Sequence, residues 1–254
     1  MRSRTFVFRA VVAAVPALAL SGAASAVPIA EWRFEPGNFL ADSSGNGHTL
    51  SNSGAVSSTE VPAGIGSAGS AEFDGAAIMR TVASMDLSGY ESLNISWYQF
   101  VDNGKVAIVF EHSVDTNGNP GGFELTVNEV FTDNTSTGVG RPVLRTNGGY
   151  NGDDQTHAIG SWQQFTMAID LTATATPTEI VEVTNGAENP FQDANVAPFR
   201  NDFFHLGNRF SNLGLGFVGN IDEFRIDGTP VPEPTGAALA ALAGAALLAR
   251  RRRR

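Results

Sequence analysis

The chain has 254 residues, no cysteine, and 16 Lys+Arg against 26 Asp+Glu, for a formal net charge of −10. That length holds one domain with a real core. The missing cysteines exclude disulfides and thiolate zinc sites, and the acidic balance excludes nucleic acid as a partner through general electrostatics.

In chain order, Arg2, Arg4 and Arg9 form a positive leader, Phe6 to Leu20 is mostly apolar, and Ala24-Ser25-Ala26 supplies a small-residue cleavage pattern. Residues 1–26 therefore read as a secretory signal peptide. From residue 27 on, short runs of period near two recur between Gly, Asn, Asp and Ser clusters, the pattern of strands and turns. "PIAEWRF" opens the set. "ESLNISWYQF" alternates Leu93, Ile95 and Trp97, and "KVAIVFEH", "GFELTVNEV" and "RPVLRT" follow. "SWQQFTMAIDL" alternates Phe165, Met167, Ile169 and Leu171. "EIVEVTNG" ends in the turn pair Asn185-Gly186, and "FFHLGNRF" and "GFVGNIDEFRI" complete the series. The Ser-, Gly- and Ala-rich stretch from Ser51 to Ser70 reads as a long loop. Many short strands in about 200 residues predict an all-β sandwich over residues 27–229.

The chain closes on "VPEPTGAALAALAGAALLARRRRR". The 15 residues from Thr235 to Ala249 would reach ~22 Å as a helix, short of the ~30 Å hydrocarbon core, and alanine gains little there. An arginine cluster beyond it would stay cytoplasmic. Val231, Pro232, Glu233 and Pro234, the short apolar helix and the terminal arginines together resemble the PEP-CTERM sorting signal of Gram-negative bacteria, over residues 230–254. That resemblance implies an exosortase-type membrane protease as partner, transient inner-membrane anchoring by the helix, and delivery to the cell surface or an extracellular polysaccharide matrix. The two end segments hold eight of the 16 bases and one acid, so the exported part carries 8 bases and 25 acids. Its plausible partners are cations and neutral, hydroxyl-rich ligands.

"EWRFEPGNFLADSSGNGHTL", "SAGSAEFDG", "NISWYQF" and "GFVGNIDEFRI" resemble, in order, landmarks of a laminin-G-like, concanavalin A-like jelly roll. The resemblance implies a two-sheet antiparallel sandwich, a fold that hosts lectins, adhesion modules and glycosidases alike. Members often carry a structural Ca²⁺, which here points to Asp42 in "DSSGNGH", Asp74 in "FDG" and Asp222 in "NID". Short oxygen-bearing side chains in glycine loops suit that ion. The alternative for Asp42 and Asp74 is an Asx turn with their own backbone.

For catalysis, a glycosidase of this fold needs carboxylates along one strand face. Strand alternation puts Asp222, Phe224 and Ile226 on one face and Glu223, Arg225 and Asp227 on the other. The second face then reads as an acid–base–acid ion-pair row. "GIGSAG" lacks the strand-before, helix-after context of a nucleotide loop, and "DTNGNPGG" has Pro120 where an EF-hand needs glycine. His48, His112, His157 and His205 have no local nucleophile or metal spacing. Trp32 and Trp97 read as core. Tyr150, with Asn147, Asn151, Asp153 and Asp154, combines a ring to stack on a sugar with amides and carboxylates for its hydroxyls; a plain exposed loop is the other reading. The expectation is a non-catalytic surface or matrix protein that binds polysaccharide. A glycan-cleaving hydrolase and a purely structural matrix protein are the alternatives.

Overall fold

The computed structural model describes residues 25–112, 121–128, 142–146, 149–152, 158–171, 178–183, 187–192, 198–209 and 213–232. The expected signal segment up to residue 24, the expected tail helix with its arginines, and the expected turn at Asn185-Gly186 lie outside them. Among the described residues no helix is long and apolar enough to cross a membrane.

The strands are β1 (Val27–Trp32), β2 (Leu50–Ser53), β3 (Val56–Ser58), β4 (Ser70–Asp74), β5 (Ile78–Thr81), β6 (Met85–Asp86), β7 (Tyr90–Val101) and β8 (Ala107–His112). They continue as β9 (Phe123–Val127), β10 (Pro142–Thr146), β11 (Gly149–Gly152), β12 (Trp162–Asp170), β13 (Thr178–Val183), β14 (Ala187–Gln192), β15 (Asn201–Asp202), β16 (Phe204–Leu206) and β17 (Val218–Pro230). One sheet runs β14-β13-β12-β7-β17-β4-β3, with β1 also paired to β17; the other runs β11-β10-β9-β8-β16-β5-β2. The named strand pairs are antiparallel. The short pair β6–β15 stands apart from both sheets. Residues 25–231 form one compact unit.

Period two does what the pattern requires on β7 and β12. Leu93, Ile95, Trp97, Phe165, Met167 and Ile169 are buried in the core, while their alternating neighbours are more exposed. The filling between the sheets is aromatic. Trp97 meets Phe110 of the opposite sheet edge-on at 5.2 Å and stacks on Phe165 at 5.4 Å. Phe110 and Phe224 cross at 5.3 Å, and Trp32 and Phe204 at 5.6 Å. Each such pair adds about 0.5–1.5 kcal/mol beyond the burial of its area. Trp32 is anchored further by an Nε1–H bond to the His48 carbonyl at 2.7 Å.

Two expectations are corrected. Ser51 to Ser70 is not one loop: it begins in β2, contains β3 and ends at the start of β4. In β2 and β3 most side chains are exposed, so pairing there rests on backbone bonds and leaves no apolar alternation to read. Second, Asp222 does not share a face with Phe224 and Ile226. The β17–β7 register slips between Asp222, opposite Tyr98, and Arg225, opposite Ser96, and Glu223 sits at φ 45°. This bulge inserts one residue. Ile221 and Phe224 both reach the core, and Asp222 lies beside Tyr98 on the outer face.

Candidate functional site

The outer face of the seven-stranded sheet carries a polar row that sequence order conceals. Successive register pairs run Ser51–Arg80, Arg80–His205, His205–Glu111 and Glu111–Glu124, and the backbone ladder continues from Glu124 to Arg145 and from Arg145 to Tyr150. Their neighbours along β8, β9 and β16 (Phe110, Phe123, Leu125, Phe204 and Leu206) fill the core. Alternation therefore sends Glu111, Glu124 and His205 to the opposite face, and all three are fully buried there. Arg209, from the segment after β16, grips both oxygens of Glu124 with Nε (3.1 Å) and Nη2. Burial, followed by the nearby Arg80 charge, drives His205 down to about 4, so its imidazole is neutral at pH 7. His112, on the core side, stacks on Phe123 at 5.3 Å and is likewise driven by burial to about 4.

Two glutamates side by side on neighbouring strands are the raw material of glycoside hydrolysis. Here both are buried, and Glu124 is committed to a bidentate arginine. Of the two, Glu124 is held in a buried ion pair with Arg209. No local motif announces it, because Glu124 and Arg209 are 85 positions apart.

The row leads into the hairpin singled out for sugar stacking. Tyr150 and Asn151 lie on β11, opposite Arg145 and Leu144. Asn147, Asp153 and Asp154 lie outside the described residues. In the late acidic group Glu223 and Asp227 take different arginines, and Glu31 reaches both of these, at 3.9 Å to Arg33 and 4.0 Å to Arg225. Glu223 takes Arg33 through Nε (3.1 Å) and Nη2 (3.0 Å), and Asp227 takes Arg225 at 2.7 and 2.8 Å. The expected acid–base–acid row is thus reduced to its Arg225–Asp227 half.

The three aspartates proposed for a cation meet different fates. Asp42 accepts the Glu31 N–H (3.0 Å) and Ser44 N–H (2.9 Å) on Oδ1 and the His48 N–H (2.8 Å) on Oδ2. Burial alone would raise its pKa, but these bonds outweigh it and hold the carboxyl below its ordinary value. Asp74 accepts the Ala76 and Ala77 N–H groups on Oδ1 at 2.9 and 3.0 Å, and those bonds lower its pKa. Both make the turn-capping bonds of an Asx motif, and neither points to a shared ion site.

Asp222 is the exception. It is fully buried; Oδ1 accepts the Glu223 N–H at 2.8 Å, and Oδ2 has no hydrogen-bond partner among the described residues. Burial, reinforced by the Glu223 and Glu35 charges, pushes it up to about 7, against tempering by Ser67 and the Glu223 N–H. Glu35 is held nearby by the Ala68 N–H at 3.2 Å. Gly69 approaches so closely that an added Cβ would fall 2.7 Å from the Phe34 carbonyl oxygen. A hard cation fits this corner, where Asp222, Glu35 and the Ser67 hydroxyl would supply oxygen. Among the described residues no three His, Asp or Glu side chains gather as a metal set, so Asp42, Asp74 and Asp222 do not make one centre. Of the sorting motif, Val231 and Pro232 are exposed beyond β17; Glu233 and Pro234 lie outside the described residues.

No family model and no curated protein matches the chain. Solved structures do. Domain 4 of AbnA, a GH43 extracellular arabinanase from Geobacillus stearothermophilus, in complex with arabinotriose, superposes with a TM-score of 0.57 at 19% identity, over 82% of this chain and 95% of that one. The binding domain of botulinum neurotoxin serotype D/C VPI 5993 gives 0.56 at 11% identity, over 84% and 51%. The binding domain of neurotoxin DC in complex with SialylT gives 0.54 at 11%, over 84% and 50%. The chain spans about half the length of the neurotoxin domains. At these identities the likeness is one of fold: a concanavalin A-like, two-sheet antiparallel jelly roll.

Proposed function

We propose that this chain is an exported surface or matrix protein whose sandwich binds carbohydrate without cleaving it. The observation that carries the reading is the match along nearly all of arabinanase domain 4, a module captured with arabinotriose. A second structure of this fold is a neurotoxin binding domain in complex with SialylT. The acidic exported part, with 25 acids against 8 bases, favours neutral, hydroxyl-rich polysaccharide over anionic polymers. Tyr150 and Asn151 on the β10–β11 hairpin are the residues assigned to sugar contact. The absence of catalysis is argued from Glu124, whose two oxygens are taken by Arg209.

A structural Ca²⁺ belongs to the same proposal, held at Asp222 and Glu35. So does sorting: cleavage of the leader after Ala26, then recognition of Val231-Pro232-Glu233-Pro234 by an exosortase-type protease at the inner membrane, ending at the cell surface or in the extracellular matrix.

A glycan array at millimolar Ca²⁺, repeated with a chelator, tests the binding. Signal on neutral polysaccharides that weakens with the chelator supports both parts. New reducing ends released from those polysaccharides would favour the hydrolase. Silence in both assays would favour a structural filler. For sorting, mass spectrometry of the protein from its native envelope should find the C-terminus near Pro234, and an intact Arg254 would contradict processing.

A further inference from the structure

We propose a second ligand site, for a single neutral sugar ring, in the cleft between the 42–48 loop, the start of β1 and the β6–β7 turn. The inference rests on the carbohydrate reading for the class of ligand and departs from it in place, since the cleft does not involve the β10–β11 hairpin. Its volume is about 470 Å³, and Ser44, Asn46, His48, Asp86 and Tyr90 line it beside the backbone of residues 27–29. That size falls within the ordinary range for small-molecule pockets.

The walls are preorganised. Asp42 staples the loop through its three N–H bonds. Ser44 Oγ donates to the Ile29 carbonyl at 3.1 Å, and Asn46 Nδ2 donates to the Pro28 and Ile29 carbonyls at 2.8 and 2.9 Å. The His48 backbone is fixed on both sides, its N–H to Asp42 and its carbonyl to Trp32 Nε1 at 2.7 Å. Tyr90 donates its N–H to the Leu87 carbonyl at 3.1 Å and packs its ring against the core. Asp86 commits Oδ1 to the Ser88 N–H and hydroxyl, at 3.0 and 2.6 Å.

Against this fixed frame, three polar tips have no protein hydrogen bond among the described residues: the His48 imidazole, Asp86 Oδ2 and the Tyr90 hydroxyl. They come from residues up to 42 positions apart in the chain yet line one cleft. An imidazole offers one donor and one acceptor, a carboxylate oxygen accepts only, and a phenol does both. That set matches vicinal hydroxyls, each of which donates and accepts. One available carboxylate oxygen is too few for a cation cage, and it repels an anionic sugar in an already acidic domain.

The test is titration of the full chain with D-glucose, L-arabinose and D-glucuronate, followed through the imidazole resonances in carbon–proton correlation spectra. A neutral sugar should shift the His48 signals saturably, and glucuronate should bind at least tenfold more weakly. His48→Ala and Asp86→Ala, titrated by calorimetry because the first removes the reporting ring, should each weaken neutral-sugar binding about tenfold or more. Asp86→Asn, which keeps an acceptor without the charge, should narrow the gap between glucose and glucuronate; a merely structural Asp86 would leave that gap unchanged. Saturable binding that survives both alanine variants but falls in Tyr150→Ala would overturn this site while sparing the carbohydrate reading. No saturable binding of any of the three sugars would overturn the site, and an array silent as well would take the reading with it.

Discussion

The loop at Asp42 and the bulge at Asp222 hold the same side chain in two opposite conditions. At the loop, both oxygens are filled by backbone N–H groups from two segments, and the carboxyl is pulled below its ordinary pKa. At the bulge, one oxygen is buried without a hydrogen bond, two other acids stand close, and the carboxyl is pushed up to about 7. The first residue is a finished structural staple. The second is an unbalanced group of the sort that a ligand or a proton completes. A residue type in a turn motif therefore does not define a site; the donors around it do.

Four perturbations break or sharpen that contrast. The largest effect is expected for Asp42→Ala, which strands three backbone donors at once and should cost about 3 kcal/mol in urea unfolding, near 1 kcal/mol per lost bond. A cost close to zero would mean that the staple is dispensable. Next comes Asp222. Its folded pKa lies above the unfolded value of 3.8, so the native state holds the proton more tightly than the unfolded chain. The resulting stability is full below about pH 4 and is lost as pH rises through about 7. Asp222→Asn should flatten that pH profile in metal-free buffer. Ca²⁺ at 100 times its dissociation constant should restore about 2.7 kcal/mol to the parent at pH 8 and nothing to Asp222→Asn; equal responses would remove the ion from this corner. Arg33→Ala, which loses a bond to Glu223 from an exposed position, should change stability by only about 0.5 kcal/mol. Asp74→Ala, at an exposed turn, should shift the thermal midpoint least, and a shift as large as that of Asp42→Ala would erase the distinction between staple and turn.

Much of the sandwich was legible because strands with one wet face must alternate, as Leu93, Ile95 and Trp97 do, and Trp32 and Trp97 lie in the core as expected. Edge strands β2 and β3 escaped notice, since their exposed serines leave no apolar rhythm. The bulge at Glu223 escaped as well: an inserted residue shifts the phase of everything after it, and alternation extrapolated across it put Asp222 on the wrong face. Site chemistry was legible only where it was local. The glycine-rich loop marked Asp42 as a Ca²⁺ candidate with an Asx turn as the alternative, and the turn bonds are the ones present. The Glu124–Arg209 clamp and the meeting of His48, Asp86 and Tyr90 depend on strand order, which no short motif encodes.

The central claim is that the sandwich binds sugar and leaves it intact. Its most direct measurement is one titration of the full chain with arabinotriose, with heat of binding and reducing ends followed on the same samples. Saturable heat and an unchanged count of reducing ends are the predicted result. A rise in reducing ends, or no heat up to millimolar arabinotriose and other neutral oligosaccharides, would contradict it.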